Sequence, residues 1–215
     1  MRADEIGLTN PSAGPRTAGA LHQKLVHKRR VRVLANHLAA LIPRQSKVLD
    51  VGCGDGAIDS LIMQQSPGVL IEGIDVLVRP ATKISVGQFD GLHIPYPDAS
   101  FDVVMFIDVV HHADNPLLLL QEASRVGKRV VIKDHLRQGF LAARTLRFMD
   151  WVSNAHHGVA LPYNYWSKAE WDAALDAVRL QPVEMKLSLG LYPPPASWVF
   201  ERGLHFIGRF ERQAD

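Results

Sequence analysis

The chain has 215 residues, 47% of them hydrophobic and 21% charged, with a formal net charge of +2. That size suits one domain with at most a modest cap, and the near-neutral charge provides no electrostatic footprint for a nucleic-acid partner. No stretch reaches the ~18 uninterrupted apolar residues of a membrane span, and the single cysteine, Cys53, excludes an intramolecular disulfide and a cysteine-cluster zinc site.

Residues 1–17 are rich in Pro, Gly and polar side chains and read as a mobile tail without the apolar core of a signal peptide. With the lone cysteine, this favours a reducing cytoplasm. From Ala18 to Ile42, leucines recur at spacings of three and four, the signature of an amphipathic helix. Its polar face is basic, including Lys28, Arg29 and Arg30, and is either solvated or turned toward an anionic group. Pro43 ends it. Strand one is Lys47–Val51, followed by a helix over 57–65. Strand two is Val69–Ile74, closing on Asp75. A short broken stretch leads to strand three, which ends near Phe89. Strand four is Phe101–Ile107, nearly all apolar, as a strand covered on both faces should be.

Asp114-Asn115-Pro116 carries a capping residue and a first-turn proline for a helix over 117–126. Strand five, Arg129–Ile132, closes on Lys133-Asp134-His135. Residues 136–166 break the alternation of strands and helices and read as a cap over the substrate, containing Trp151, His156, His157, Tyr163, Tyr165 and Trp166. Ser167-Lys168-Ala169-Glu170 is a capping box opening a helix to about Val178. Val183–Leu191 and His205–Phe210 form a last strand pair around Pro193-Pro194-Pro195. Strands alternating with helices imply a doubly wound, mainly parallel α/β sheet with helices on both faces. Its ligand should lie at the carboxyl ends of the strands.

Four stretches carry the chemistry. Asp50-x-Gly52-x-Gly54-x-Gly56 is a strand that turns sharply into a helix, where glycine permits positive φ and close approach of another molecule. It differs from the dinucleotide pattern G-x-G-x-x-G, since Ala57 stands where the third glycine would be. Asp75 ends strand two, where a carboxylate accepts from ribose hydroxyls; nicotinamide enzymes use an acid there too. The third stretch is Phe89-Asp90-Gly91-Leu92-His93-Ile94-Pro95-Tyr96-Pro97-Asp98-Ala99-Ser100-Phe101-Asp102. The fourth is Phe106-Ile107-Asp108-Val109-Val110-His111-His112.

In this order and register, the four resemble the class I S-adenosylmethionine-dependent methyltransferases, specifically their type 11 group. The resemblance runs from about Ala18 to His135. It implies a Rossmann-like fold with a seven-stranded sheet, residues 18–215 forming the methyltransferase domain with its cap at 136–166. It also implies a cofactor site from Asp50, Gly52, Cys53, Gly54, Gly56, Asp75, Val76, Asp90, Gly91, Ile107 and Asp108. Asp90 would accept from the adenine amino group, Gly91 would leave room for the ring, and Asp108 would lie near the sulfonium. Two departures concern the short region between strands two and three and Val126-Gly127-Lys128 before strand five.

The expected activity is methyl transfer to a small or medium organic substrate. The alternatives are a non-catalytic cofactor-binding regulatory module or a nucleotide-dependent enzyme on the same fold. His111, His112 and His135 are the candidate bases. Neighbouring side chains on an extended segment point opposite ways, so one of His111 and His112 should face the pocket. Trp151, Tyr163, Tyr165 and Trp166 are the candidate substrate walls. No metal is expected: catechol-type methylation uses an Asp-Asn pair where this chain has Asp134-His135.

Overall fold

The computed structural model describes residues 14–154 and 163–213. The first thirteen residues of the expected tail, and His156 and His157 of the cap, lie outside the described residues. Helix α1 (Gly14–Leu41) starts ahead of the expected Ala18. Its leucine stripe folds as the spacing requires, with Leu34, Leu38 and Leu41 buried.

Five strands then build the parallel part of the sheet: β1 (Lys47–Val51), β2 (Leu70–Asp75), β3 (Val86–Gln88), β4 (Val103–Ile107) and β5 (Arg129–His135). Helix α2 (Ala57–Gln65) joins β1 to β2, and α3 (Pro116–Val126) joins β4 to β5. After β5 come α4 (Ala142–Asn154), α5 (Lys168–Ala177), β6 (Leu180–Lys186), α6 (Ser197–Phe200) and β7 (His205–Arg212). The seven strands lie in the order β3-β2-β1-β4-β5-β7-β6, with β7 antiparallel to both neighbours. The expected doubly wound sheet is therefore what forms.

Alternation along the central strands divides the core in two. Leu49, Val51, Val104 and Phe106 pack against Leu119 and Ala123 of α3 and Trp171 of α5. Val48, Val103 and Met105 pack on the other face against Leu34 and Leu38 of α1 and Ile62 of α2. Both helix starts read from local chemistry are present. Asn115 Oδ1 accepts from Leu118 N at 3.1 Å, and Ser167 and Glu170 form a complete capping box.

Two elements differ from expectation. β6 runs over Leu180–Lys186 rather than 183–191. Its side chains after Leu180 are exposed or half-buried, and its register shifts between Pro182 and Glu184. Such a strand carries no period-two signal. Helix α6 follows directly on the prolines 193–195, where no helix was expected. β5 ends in three polar residues, Lys133, Asp134 and His135, all buried. They pair with Ile207, Phe206 and His205 of β7. This polar layer at the carboxyl end of the sheet is the floor of the site.

Candidate active site

β1 delivers Asp50 and the glycine loop to the start of α2. Gly52, Gly54 and Gly56 have φ of 77°, 62° and 70°, a region other residues enter at a cost. A Cβ on Gly52 would lie 2.5 Å from Val109, and one on Gly56 would lie 2.5 Å from Ile84. At Gly54 the neighbour is the Arg79 guanidinium at 3.4 Å, the end of a flexible side chain. The loop is tied to β2, since Gly52 N donates to Ile74 O at 2.7 Å and Gly54 N to Asp75 Oδ2 at 2.9 Å. Asp75 Oδ1 accepts from Leu77 N at 3.0 Å.

The expected cofactor residues fall into two sets. Asp50, Gly52, Cys53, Ile107 and Asp108 line one cavity of about 990 Å³. Gly54, Gly56, Asp75, Val76, Asp90 and Gly91 lie outside its walls, on the loop and on a shelf at the ends of β2 and β3. On that shelf a Cβ on Gly91 would meet Val76 at 3.1 Å. Asp90 Oδ1 accepts from His93 N at 2.7 Å and Leu92 N at 2.8 Å. These amides hold the carboxyl down to about 2.

The cavity wall holds an arrangement not expected from the sequence. Asp50 and Asp59 are both 1% exposed. Asp50 Oδ1 and both Asp59 oxygens have no hydrogen-bond partner. Burial, and then the Asp59 charge, push Asp50 up, and burial pushes Asp59 up to about 6. The two carboxyls interact with each other, a shared proton easing their repulsion, and a buried acidic pair of this kind suits a cationic ligand.

Across the cavity, Asp108 adopts a left-handed φ of 58°. Its carboxylate is ion-paired to Lys133 from β5 and Arg30 from α1. Burial opposes its charge, but Lys133 and Arg30 outweigh this and hold it well below the usual carboxylate range. Arg30 belongs to the basic helix face, so one of its cations does turn inward.

Val110–His112 forms a 3-10 turn rather than a continuation of β4. The expectation that only one of the two histidines faces the pocket fails for that reason, and both line the cavity with ring centroids 4.0 Å apart. His111 Nδ1 bonds Asp134 Oδ1 at 2.6 Å. Burial disfavours a charge on His111, but Asp134 more than compensates and pushes it up to about 10. That pairing commits His111 to Asp134 and makes it a poorer base than a free neutral imidazole. Burial, and then His111, push His112 down, leaving it neutral. His135 also lines the cavity; burial and then Lys133 push it down to about 4.

The aromatic walls are different residues from the four expected, Trp151, Tyr163, Tyr165 and Trp166. Tyr165 is 5% exposed, with its OH donating to Asp150 Oδ2 at 2.7 Å, so it buttresses the site from behind. Tyr163 packs beside it, with ring centroids 6.2 Å apart. Trp166 stacks edge-on with Trp171 at 4.9 Å against the sheet core, where its apolar ring is covered. Trp151 is 58% exposed. None of the four lines the cavity. Its apolar walls come from Phe148 and Met149 of α4, and from Tyr192, the three prolines and Phe200. The proline cluster was a visible signal, but its position over the site depends on the β6–β7 pairing. Among the described residues, two trios place three potential ligand atoms within 4.8 Å of one another, His111–Asp134–His135 and His111–His112–Asp150, although no metal was expected.

Known proteins agree with this geometry. The family described as a methyltransferase domain matches residues 25–184. The 27-O-demethylrifamycin SV methyltransferase of Amycolatopsis mediterranei is 28% identical over 121 residues, covering 48% of this chain and 44% of that protein. The chain thus spans less than half the length of the first curated relatives it matches. A chain from the complex of the Haloferax volcanii Trm112 methyltransferase activator with a methyltransferase superposes with a TM-score of 0.68 at 18% identity, covering 92% of this chain and 96% of that one. The geranyl diphosphate C-methyltransferase of Streptomyces coelicolor, solved with Mg²⁺, geranyl diphosphate and S-adenosyl-L-homocysteine, superposes with a TM-score of 0.61 at 16% identity, covering 83% and 78%. With its glycine loop, strand order and family match over most of its length, this chain belongs to the methyltransferase-domain family and has the class I S-adenosylmethionine-dependent architecture.

Proposed function

We propose that the chain transfers a methyl group from S-adenosylmethionine to a small or medium organic substrate in the cytoplasm. The observation that carries this reading is the pair of buried carboxyls, Asp50 and Asp59, beside the glycine loop on a cavity of about 990 Å³, with Asp50 Oδ1 and both Asp59 oxygens lacking any donor but each other. The methionine end of the cofactor carries an ammonium, the donor such carboxyls lack. Gly54 leaves the approach open apart from the movable Arg79 side chain. Asp75 and Asp90 would take the ribose hydroxyls and the adenine amino group, using lone pairs beyond those already engaged by backbone amides. When bound, the cofactor supplies a methyl group activated by a positive sulfonium.

The chain's own residues then orient and enclose. The carboxyl end of β4 places Ile107 and Asp108 on the cavity, and Lys133 with Arg30 fixes the Asp108 carboxylate. Phe148, Met149, Tyr192 and Phe200 offer apolar walls that exclude water from the substrate. The 136–166 segment contributes Phe148, Met149 and Asp150 of α4 to the cavity, which supports its reading as the substrate cap. Alignment alone supplies roughly 7–11 kcal/mol of barrier reduction, against about 10²–10⁴-fold for a base. The base is His112, a neutral histidine on the cavity whose side chain is more exposed than that of the equally neutral but more strongly depressed His135.

The test is calorimetry with S-adenosylhomocysteine and with NAD, followed by incubation with methyl-labelled cofactor and a small-molecule extract. Binding of S-adenosylhomocysteine with label transferred to an extract component is the expected result. Cofactor binding with no acceptor labelled would favour the regulatory module. NAD binding without S-adenosylhomocysteine binding would overturn the reading.

A further inference from the structure

We propose that His111, His112 and Asp150 bind one divalent transition-metal ion of the zinc class in the wall of the cavity. The inference stands on ligand geometry and does not require the methyl-transfer reading to hold.

His112 Nε2 lies 3.5 Å from Asp150 Oδ1, and His111 Nε2 lies 3.9 Å from the same oxygen. Bonds of ~2.1 Å at tetrahedral angles put ligand atoms about 3.4 Å apart. The two edges to Asp150 are therefore within about 0.5 Å of a closed site, and all three ligand atoms lie within 4.8 Å of one another. Two nitrogens and one oxygen suit zinc, cobalt, iron or manganese better than magnesium or calcium.

The groups behind the ligands are arranged as metal sites arrange them. Asp134 Oδ1 accepts the Nδ1 proton of His111 at 2.6 Å. This fixes the ring so that Nε2 points at Asp150. A carboxylate behind a histidine is the usual support of a metal ligand. Asp150 is anchored in turn, since Tyr165 OH donates to its Oδ2 at 2.7 Å, and its Oδ1 lies 3.5 Å from His112 Nε2 and 3.9 Å from His111 Nε2. His111 is 2% exposed, and its Nε2 is buried with no hydrogen-bond partner. A buried nitrogen 3.9 Å from a carboxylate oxygen is placed where one ion could bridge the two.

The other trio, His111, Asp134 and His135, is less suited. Asp134 Oδ1 already accepts from His111 Nδ1 and from His135 N at 2.7 Å. All three residues are buried. Asp134 thus serves as the support, and Asp150, carried by α4, as the ligand. Because α4 lies in the segment read as the cap, the ion would fasten that segment to the turn after β4.

Two roles for His112 separate under chelation. A histidine acting as a base keeps its function when metal is stripped, whereas a metal ligand does not.

The experiment uses the untagged full-length chain, stripped with a chelator and titrated with Co²⁺. The readouts are visible absorption and calorimetry, with Zn²⁺ as competitor. One equivalent of Co²⁺ should bind with low-coordinate d–d absorption and be displaced by Zn²⁺. His112→Gln and Asp150→Asn should each weaken binding by at least about tenfold, and Asp134→Asn by about 10–100-fold. Circular dichroism checks that each variant folds. His112→Gln, at the 21% exposed side chain, is the variant least prone to fold loss. No binding at millimolar Co²⁺ would overturn the proposal, leaving the trio as a metal-free ion network. Binding of equal strength in His112→Gln and Asp150→Asn would overturn it as well, by placing the ion elsewhere.

Discussion

His111 Nδ1 donates to Asp134 Oδ1 at 2.6 Å, with the two side chains 2% and 0% exposed. This bond fastens the turn after β4 to the end of β5, beside the Asp108–Lys133 ion pair and the His111–His135 ring contact that join the same segments. Breaking a buried charged pair by removing one partner costs ~3–5 kcal/mol, because the other charge is left uncompensated. Asp134→Ala should therefore lose about that much unfolding free energy in urea. Asp134→Asn keeps an acceptor oxygen and should lose clearly less. A loss below ~1 kcal/mol in both variants would show that the pair is not a fastening.

Asp59 couples stability to ligand binding. Its carboxyl is raised by burial to about 6 in the folded chain. Between the ordinary carboxyl value and about 6, the folded state therefore binds the extra proton. Stability is greatest below that window and falls as pH rises through it. Asp59→Asn removes the penalty, so the unfolding free energy near pH ~8 should rise by on the order of 1–3 kcal/mol and the thermal midpoint with it, while near pH ~4 both should match the wild type. The same variant should bind S-adenosylhomocysteine at least about tenfold more weakly, having lost a charged acceptor for the ammonium. Wild-type affinity should increase from about pH 5 to about pH 7 as Asp59 ionises. A pH-independent midpoint difference, or an affinity unchanged by Asp59→Asn, would remove Asp59 from the site.

Gly54 and Gly56 should respond differently to the same added methyl group. Both have positive φ, so each alanine costs ~1–2 kcal/mol of strain. At Gly56 the new Cβ also falls 2.5 Å from Ile84, within the packed core. Gly56→Ala should be the more destabilised protein in urea. At Gly54 the methyl meets only Arg79, at an ordinary contact distance. Gly54→Ala should keep its fold better but bind S-adenosylhomocysteine more weakly. Full cofactor affinity in Gly54→Ala would mean that the ligand does not approach the loop there.

The parts of this molecule legible in the sequence are those written locally. The alternate glycines, the Asn115-Pro116 cap and the Ser167–Glu170 box each involve neighbouring residues, and each appears in place. The apolar run of β4 required burial on both faces, and its sheet neighbours supply it. The rest depends on tertiary contacts. Asp59 looks like any polar residue in the first turn of a helix until α2 packs it beside Asp50. Asp150 lies on an amphipathic helix, and only its approach to the 3-10 turn gives it two histidine neighbours. Trp166 and Trp151 were indistinguishable as apolar wall candidates, yet one packs against Trp171 and the other faces solvent. The edge strand β6 has no alternation to read, so its boundaries followed from β7 alone.

Asp108 should separate a buried ion pair from a partly exposed one within one cluster. Lys133 is 0% exposed and Arg30 is 28% exposed, and both pair with the same carboxylate. Asp108→Asn retains the shape and tolerates the left-handed backbone, since asparagine enters that region more readily than most residues. It nevertheless leaves the Lys133 ammonium buried without a counter-charge, a loss of ~3–5 kcal/mol. Lys133→Met removes the cation instead and fills similar space. Arg30 still satisfies Asp108, so this variant should be less destabilised than Asp108→Asn. Arg30→Gln loosens only the solvent-facing pair and should cost no more than ~1 kcal/mol. The expected order of urea stability is wild type, Arg30→Gln, Lys133→Met, then Asp108→Asn. Arg30→Gln as damaging as Asp108→Asn would mean that α1 is held to the sheet chiefly by this one ion pair, rather than by the buried leucines of its inner face.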